Sequence, residues 1–375
     1  MADIFERLIK NYGPIGQHRE RAHGYFAFPK LEGEIGSKMM FRGQEMIVWS
    51  LNNYLGLANH PEVRKADAEA SAKYGLALPM GARMMSGNSD LHEQLEAELA
   101  SFENKEDAIL MNYGYQGIMS AIDAICGRHD VVVYDAECHA CIIDGLRMLP
   151  GHRFVFKHND VEDCEKQLHR AQALIEKQQS GGILVITEGV FGMVGDLGKL
   201  DEIAALKKKF NFRLIVDDAH GFGVLGPKGR GTAEFFDLED EVDIIMGTFS
   251  KSLASLGGYM AASSEVVEYV KHKSRPFIFS AAIPPSSTAT ALKALNILKE
   301  EPERPKRLLE VSKYMRDALK AYGLPLGFDS ITPIIPIYTY SKLRTLIAVK
   351  QLYERGLYVN PVLPPATPEG ECLIR

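Results

Sequence analysis

From about residue 60 onward, short apolar segments alternate with stretches that have the period of about 3.6 residues typical of helices. The predicted strands are Ala108–Met111, Val131–Tyr134, Phe154–Lys157, Ile183–Thr187, Leu214–Val216, Ile244–Thr248 and Tyr259–Ala262. The predicted helices are Pro61–Tyr74, Asp90–Phe102, Gln116–Cys126, Val161–Gln179, Leu200–Phe210, Pro285–Lys299, Pro305–Tyr322 and Lys342–Arg355. This alternation predicts an α/β fold with a mostly parallel sheet and helices on both of its faces.

The two ends of the chain have a different pattern. Residues 1–50 combine a helix with polar, glycine-containing segments typical of hairpins, and a strand pair is predicted near Ile331–Tyr340. We therefore predict a large domain over residues 51–290 and a smaller α+β domain built from residues 291–375 together with residues 1–50.

Composition and charge exclude several classes of protein. The 375 residues carry a formal net charge of −6, which gives no electrostatic basis for binding nucleic acid. No apolar run approaches the roughly 18–20 residues of a membrane-spanning helix. The N-terminal segment MADIFERLIK lacks the apolar core of a signal peptide. These features predict a cytoplasmic protein with at most peripheral membrane contact.

The cysteine pattern raises the question of a metal or redox site. The chain has five scattered cysteines, an odd number that argues against a disulfide framework. Cys138 and Cys141 fit the C-x-x-C pattern, but a zinc site needs a second ligand pair at suitable spacing. A redox pair usually opens a helix in a small βαβ domain. A structural role is therefore favoured over zinc or redox chemistry, and no metal ligand is predicted.

A glycine pattern suggests one kind of cofactor. In VDDAHGFGVLG, Gly221-x-Gly223-x-x-Gly226 has the spacing of a dinucleotide-binding turn. That turn should open a helix whose N-terminus binds the pyrophosphate. Here it leads into Pro227-Lys-Gly-Arg-Gly231, which is typical of a loop. A nicotinamide- or flavin-dependent oxidoreductase is the alternative that this pattern alone supports.

Polar residues at the ends of two consecutive predicted strands suggest a different chemistry. Asp217 and His220 follow one strand. Thr248 ends the next strand, and Lys251 follows it. Ligands bind beyond the carboxyl ends of strands in such sheets. A lysine forms a Schiff base with an aldehyde cofactor, and a carboxylate keeps the cofactor's ring nitrogen protonated. Lys251 and Asp217 supply these two groups, and Thr248 offers a hydroxyl to a phosphate.

Several motifs occur together in a characteristic order. They are Asn52-Asn-Tyr-Leu-Gly-Leu57, Thr187-Glu-Gly-Val-Phe191, Asp217-Asp-Ala-His220, Gly226-x-x-Gly-Arg-Gly231 and Gly247-Thr-Phe-Ser-Lys251. From Leu51 to Arg375 the chain resembles the α-oxoamine synthases, which are pyridoxal 5'-phosphate (PLP) enzymes of fold type I. The resemblance implies a large sheet domain, a smaller α+β domain and PLP as the cofactor.

The resemblance assigns roles to four side chains around the cofactor. Lys251 matches the lysine that forms the Schiff base and later takes the substrate's α-proton. Asp217 matches the carboxylate facing the pyridine nitrogen, and His220 matches the histidine at the phenolic oxygen. His139, in Asp135-Ala-Glu-Cys-His-Ala140, matches the histidine that stacks on the pyridine ring.

Other matches concern the cofactor phosphate and the assembly. Tyr113-Gly-Tyr115 matches the turn whose backbone N–H groups bind phosphate, so Gly114 and Tyr115 are candidates along with Thr248. Ser280 matches a residue that reaches the phosphate of the neighbouring subunit. The resemblance therefore implies a homodimer with shared active sites.

The candidate substrate-binding residues are Asn52, Arg83 and Arg375. Asn52 lies in the first motif, Arg83 keeps a basic position in the substrate loop, and Arg375 matches an arginine that holds the substrate carboxylate. The implied reaction joins an amino acid to an acyl thioester, releases the thiol and CO₂, and gives an α-amino ketone. In this scheme His139 polarises the thioester carbonyl.

Three features depart from the family pattern. Gly192 stands where relatives carry a serine, so either a hydroxyl contact to the cofactor is absent or the extra space holds a larger substrate group. The loop Gly75–Met85 is bulkier than in serine palmitoyltransferases. The sequence stops at Arg375, where related chains continue, so we expect a shortened C-terminal domain in which Arg375 is weakly anchored.

The branch of the family decides the substrate. Phe277-Ile-Phe-Ser-Ala-Ala-Ile-Pro-Pro285 most resembles bacterial serine palmitoyltransferases, which predicts a long-chain acyl thioester of coenzyme A or acyl carrier protein and sphingoid-type lipid synthesis. Gly192 and the altered loop keep a cysteate acyltransferase of sulfonolipid synthesis open, and 8-amino-7-oxononanoate synthase and glycine C-acetyltransferase are further alternatives. An aminotransferase or lyase on the same fold is the nearest rival. Non-catalytic subunits of the family lack the lysine that this chain has as Lys251.

Overall fold

The computed structural model of the protein describes residues 3–10, 22–77 and 80–375. Its strands are β1 (Leu31–Glu32), β2 (Lys38–Phe41), β3 (Gln44–Val48), β4 (Asp107–Met111), β5 (Val131–Asp135), β6 (His152–Phe156), β7 (Ile183–Glu188), β8 (Arg213–Asp217), β9 (Ile244–Thr248), β10 (Gly258–Ala262), β11 (Ile337–Tyr338), β12 (Leu357–Tyr358), β13 (Pro361–Val362) and β14 (Leu373–Ile374). Its α-helices are α1 (Ile4–Lys10), α2 (Pro61–Tyr74), α3 (Asp90–Phe102), α4 (Gly114–Ile125), α5 (Ala140–Met148), α6 (Val161–Gln178), α7 (Leu200–Ala205), α8 (Thr232–Phe235), α9 (Ser264–Lys273), α10 (Arg275–Phe279), α11 (Pro285–Glu300), α12 (Glu303–Ala321) and α13 (Lys342–Glu354).

The larger of two compact units comprises Asn52–Val311 and Ser330–Pro333. Its seven-stranded sheet has the order β4-β10-β9-β8-β7-β5-β6. The pairs β5–β6, β5–β7, β7–β8 and β8–β9 are parallel, whereas β10 runs antiparallel to both β4 and β9. The prediction of a mostly parallel sheet is therefore confirmed.

Apart from the edge strand β6, the strands of this sheet are buried on both faces because helices cover both. Successive side chains of a strand point to opposite faces. In β5, Val131 and Val133 pack into the core that includes Leu168 of α6, while Val132 packs into the core that includes Ile122 of α4. Such strands form nearly continuous apolar runs, which is why they were visible in the sequence.

Helix α11 belongs to the large unit, so the structure places the domain boundary later than residue 290. Leu295 of α11 packs in one core with Leu95 of α3 and with Leu110 and Tyr259 of the sheet. The division between the units falls instead after Val311 and lies within α12. The apolar face of α11 explains the difference, since it is buried on the sheet domain.

The smaller unit comprises the described residues of Met1–Leu51, with Ser312–Asp329 and Ile334–Arg375. It contains one sheet of order β1-β2-β3-β12 and another of order β11-β14-β13. The predicted strand pair near Ile331–Tyr340 is wrong, because only β11 forms there and it pairs with β14. Pro333 and Pro336 lack the backbone N–H that a longer strand would need.

Across the described ranges, no helix is both long and apolar enough to cross a membrane.

Candidate active site

Polar side chains converge where three neighbouring strands end. Glu188 ends β7, Asp217 ends β8 and Thr248 ends β9. Glu188 and Asp217 are direct partners in the parallel register. The site therefore lies at the carboxyl edge of the sheet, where ligands of such folds bind.

The charges of Asp217 and Lys251 interact in this site. Asp217 is 5% exposed, and its Oδ1 accepts a hydrogen bond of 3.1 Å from the backbone N–H of Ala219. Burial raises the pKa of Asp217, and the positive charge of half-buried Lys251 opposes that rise. The structure thus brings together the amine and the carboxylate that the sequence predicted would share a ligand.

The start of α4 forms an anion-binding corner with Thr248. Tyr113 precedes the helix without a side-chain cap, so backbone N–H groups of the first turn are available. A Cβ at Gly114 would lie 2.8 Å from Cβ and Oγ1 of Thr248, so this close approach requires glycine. A helix N-terminus beside a hydroxyl fits a phosphate group.

His139 is held at its backbone and at one ring nitrogen. It immediately precedes α5, and its backbone N–H donates to Oε1 of Glu188 at 2.5 Å. Nδ1 accepts from the backbone N–H of Cys141 at 3.3 Å and lies 2.9 Å from its Sγ. Partial desolvation lowers the pKa of His139, the charge of Asp217 opposes this, and Lys251 lowers it further.

Tyr115 supports the same histidine from α4. Its ring meets the His139 ring edge-on, with centroids 5.8 Å apart and an interplanar angle of 77°. Its hydroxyl donates to the carboxylate of Asp144, which raises the pKa of Tyr115 to about 12. The phenol is therefore neutral at physiological pH.

His220 is buried three residues beyond the end of β8. Its Nδ1 lies 2.7 Å from the hydroxyl of Tyr54. A Cβ at Gly192 would lie only 2.3 Å from Nε2 of His220. The extra space that the sequence predicted at Gly192 is therefore filled by the histidine ring, and that expectation is corrected.

These groups fit PLP. A buried carboxylate suits a protonated ring nitrogen, a lysine beside it suits the aldehyde, and the Gly114–Thr248 corner suits the phosphate. The model for the family described as aminotransferase class I and II matches residues 44–373. The chain belongs to this family.

Within the family, the chain is a PLP-dependent C-acyltransferase of the α-oxoamine synthase group, as its relatives indicate. It is 48% identical to a cysteate-C-fatty acyltransferase of Capnocytophaga ochracea over 100% of this chain and 89% of the relative. It is 40% identical to a serine palmitoyltransferase of Bacteroides ovatus over 100% of this chain and 93% of the relative. A solved serine palmitoyltransferase from S. paucimobilis, with a bound PLP–myriocin aldimine, superimposes with a TM-score of 0.92 at 32% identity, covering 100% of this chain and 93% of that one.

The glycine pattern that suggested a nucleotide belongs to this α-oxoamine synthase's own fold. It forms a loop before α8, not a helix start. Cβ atoms at Gly221 and Gly231 would lie 2.0 and 1.8 Å from the Asp218 carboxylate. That carboxylate accepts from the N–H and hydroxyl of Thr232 at 2.7 and 2.8 Å. The glycines therefore let the loop close around Asp218.

Two predicted substrate residues have other surroundings in the large unit. Arg83 donates from Nη1 and Nη2 to the two carboxylate oxygens of Glu96, each at 2.9 Å, and its side chain is only 9% exposed. A substrate anion would have to compete with Glu96 for this guanidinium. Asn52 is half-buried and lies two residues before Tyr54, the partner of His220.

Ser280 and Arg375 also have partners within the chain. The side chain of Gln116, in the first turn of α4, donates to Oγ of Ser280 at 3.2 Å. In the smaller unit, the backbone of Arg375 exchanges hydrogen bonds of 3.0 and 3.3 Å with that of Asn360. Arg375 is therefore anchored by its backbone, contrary to the expectation of weak anchoring.

Glu188, Cys141 and Tyr54 contact the predicted histidines but were missed as site residues. Glu188 ends the strand ILVITE, in which every residue is buried, and a carboxyl group in such a run was a visible signal. The C-x-x-C pattern drew attention to Cys141, for which the sequence favoured a structural role over zinc or redox chemistry. Its Sγ lies near His139 and Asp217, and no metal-binding group of three or more ligands occurs in the part of the chain that the structure describes.

Proposed function

We propose that this enzyme condenses L-cysteate with a long-chain acyl thioester in the synthesis of a sulfonolipid base. The amino acid and the thioester consume one proton and give a sulfonated α-amino ketone, CO₂ and the free thiol. A new bond joins Cα to the acyl carbon as the carbon–sulfur bond of the thioester breaks. The Cα–carboxylate bond breaks afterwards, and Cα regains a proton.

The identity to known acyltransferases supports this choice of amino acid. The chain is 48% identical to a cysteate-C-fatty acyltransferase along its whole length, against 40% for a serine palmitoyltransferase of equal coverage. Because both relatives align with the whole chain, the difference is not due to a missing domain. Serine is the second candidate, since the solved serine palmitoyltransferases share this fold closely.

The residues at the strand ends would hold PLP, whose ring stabilises negative charge at the substrate's Cα. Asp217 would accept a hydrogen bond from the ring nitrogen, His220 would contact the phenolic oxygen, and Gly114 with Thr248 would bind the phosphate. Lys251 would remove the α-proton and later return one. A lysine suits this task because burial shifts its pKa readily.

The remaining candidates would handle the substrate charges and the acyl group. His139, accessible beside Lys251, would donate to an oxygen of the acyl carbonyl. Arg375 is proposed to bind the α-carboxylate of the amino acid, and Asn52 is proposed as a second substrate-binding residue. For Arg83 to bind the sulfonate, its bidentate pair with Glu96 must open, so we expect Arg83→Ala to lower protein stability more than cysteate affinity.

A homodimer is proposed from an apolar surface near the site. Met84, Met85 and Phe279 are 53%, 84% and 79% exposed. Their two segments are joined by the bridge between Ala82 and Ala281. Clustered exposed apolar side chains are typical of an interface, and Ser280 lies next to Phe279.

An absorbance titration of the PLP-loaded enzyme with L-cysteate, L-serine, glycine and L-alanine tests the proposal. Each mixture then receives a long-chain acyl-CoA or acyl carrier protein thioester, and products are identified by mass spectrometry. A spectral change and a sulfonated ketone with cysteate alone are expected. Turnover of serine alone would make the enzyme a serine palmitoyltransferase. Absence of a PLP-type spectrum after adding the cofactor would overturn the whole assignment.

A further inference from the structure

Two residues outside the predicted site fix the environment of His139. Glu188 accepts the backbone N–H of His139 at 2.5 Å, and both Glu188 and Cys141 are almost completely buried. Cys141 presents two groups to Nδ1 of His139, its backbone N–H at 3.3 Å and its Sγ at 2.9 Å. The same Sγ lies 3.9 Å from Oδ2 of Asp217. The histidine is therefore held from its backbone and from one edge of its ring.

The contact with the Cys141 backbone determines which ring nitrogen carries hydrogen. A backbone N–H can only donate, so Nδ1 of His139 must present its lone pair. In a neutral imidazole the hydrogen is then on Nε2. The thiol adds a weak donor at the same nitrogen, and it can turn to Asp217 instead.

The charged groups around the ring favour its neutral form. Lys251 lowers the pKa of His139, and partial desolvation acts in the same direction. Asp217 acts in the opposite direction. Burial raises the pKa of Glu188 well above its usual range, and the neighbouring Asp217 raises it further. These shifts favour the protonated form of Glu188, in which the carboxyl group adds no negative charge beside the ring.

We infer that Glu188 and Cys141 are positioning residues that keep His139 in one orientation with its hydrogen on Nε2, so that Nε2–H is the donor offered to a substrate oxygen. The inference rests on the proposed place of His139 beside the acyl substrate. Glu188 fixes the backbone at the start of α5, and Cys141 occupies Nδ1. A donor set in advance needs no reorganisation when negative charge develops on the acyl oxygen.

The hydrogen position can be measured without turnover. Holoenzyme labelled with ¹⁵N-histidine has 11 histidines, and the His139 signals are those lost in His139→Asn. Solid-state ¹⁵N NMR at neutral pH should show a bare Nδ1 and a protonated Nε2. A protonated Nδ1, or a ring protonated on both nitrogens, would overturn the inference whichever amino acid proves to be the substrate.

The Glu188 variants test the backbone contact. Glu188→Ala removes the acceptor, and kcat should fall about tenfold, the effect of one lost hydrogen bond at a reacting group. Glu188→Gln keeps a carbonyl oxygen at the same place and should recover most of that loss, because an amide, like a protonated carboxyl, adds no negative charge there. If Glu188→Ala fails to fold, the kcat of Glu188→Gln still tests the role of the carboxyl group. If the kcat of Glu188→Gln is as low as that of His139→Asn, Glu188 does not act as a neutral positioning group.

The Cys141 variants test the ring contact, with Cys138 as a matched control. Cys138 is also a buried thiol, but its Sγ faces the backbone oxygen of Ile186 at 3.9 Å. Cys141→Ala should broaden the His139 ¹⁵N signals and lower kcat severalfold with little change in the KM for the amino acid, and Cys141→Ser should restore both. Cys138→Ala should leave the His139 signals sharp. Equal effects of the two alanine variants would mean that Cys141 only fills space.

Discussion

Two histidines near the edge of the same sheet differ in charge because they have different partners. His158 donates from Nδ1 to Asp135 at 2.9 Å and from Nε2 to Asp196 at 2.7 Å. Burial lowers its pKa, but these two carboxylates outweigh burial and raise the pKa to about 10. His139 instead accepts an amide N–H at Nδ1 and lies near Lys251, and its pKa falls. His158 is a fixed structural cation, whereas His139 is a neutral ring suited to donate to a ligand.

The difference shows that a strand-end position does not by itself make a histidine functional. Asp135, the main partner of His158, ends β5, just as Asp217 ends β8. The charge of each histidine depends on whether acceptors or donors occupy its ring nitrogens. Changing those partners one at a time should therefore change the charge of each histidine.

Removing the cation beside His139 should have the largest effect. Lys251→Ala should lower kcat by at least about a thousandfold, within the range of about 10²–10⁴ for a proton-transfer group. It should also raise the pKa of His139, because Asp217 then acts without an opposing charge. Steady-state kinetics and an NMR titration of His139 measure the two effects. Exposed Lys209 provides the control, since Lys209→Ala should change neither kcat nor the pKa of His139.

Removing the structural cation should affect stability instead. His158→Gln leaves the buried Asp135 without its positive partner and should cost about 2–3 kcal/mol of unfolding free energy. Urea unfolding measures the loss. The kcat of the folded fraction should stay within about twofold, since a group outside the reacting centre changes rates little. A variant that unfolds normally but loses turnover would place His158 in the active site.

The contribution of His158 should also depend on pH. Its pKa rises from 6.5 in the unfolded chain to about 10 in the folded one, so the folded state holds the proton more tightly. The stabilisation is complete below the unfolded pKa and is lost as pH rises through the folded pKa. The stability gap between wild type and His158→Gln should therefore narrow from pH 6 to pH 10. A constant gap would mean that His158 is not charged in the folded protein.

The smallest effect is expected at His220, a third histidine, whose ring contacts the hydroxyl of Tyr54. Gly192→Ser should push the His220 ring out of place and cost about 1 kcal/mol of unfolding free energy through overpacking. The kcat should fall severalfold as the contact with Tyr54 weakens. Gly127→Ser is the control, because the nearest atom to a Cβ there is 3.4 Å away. Faster turnover of serine in Gly192→Ser would instead connect this position with substrate choice.

Local patterns predicted the elements of the large unit well and their contacts poorly. The strands predicted in the middle of the chain lie within two residues of the observed ends, since two-sided burial makes them apolar throughout. Helix α5 was not predicted, because it has only 9 residues and Gly145 in its interior weakens the helical pattern. The pair of Arg83 with Glu96 was also missed, because two opposite charges 13 residues apart give no local pattern.

The sequence by itself determined the sheet and the family, and it predicted the residues that the structure gathers at the strand ends. Lys251, Asp217, Thr248 and Gly114 come from motifs whose spacing is set by strand and turn geometry, so short-range order suffices to recognise them. Only the tertiary structure decided that His220 fills the space beside Gly192 and that Cys141 and Glu188 hold His139. Those contacts join side chains from separate strand ends, and their protonation depends on burial and on neighbouring charges, which exist only once the sheet has formed.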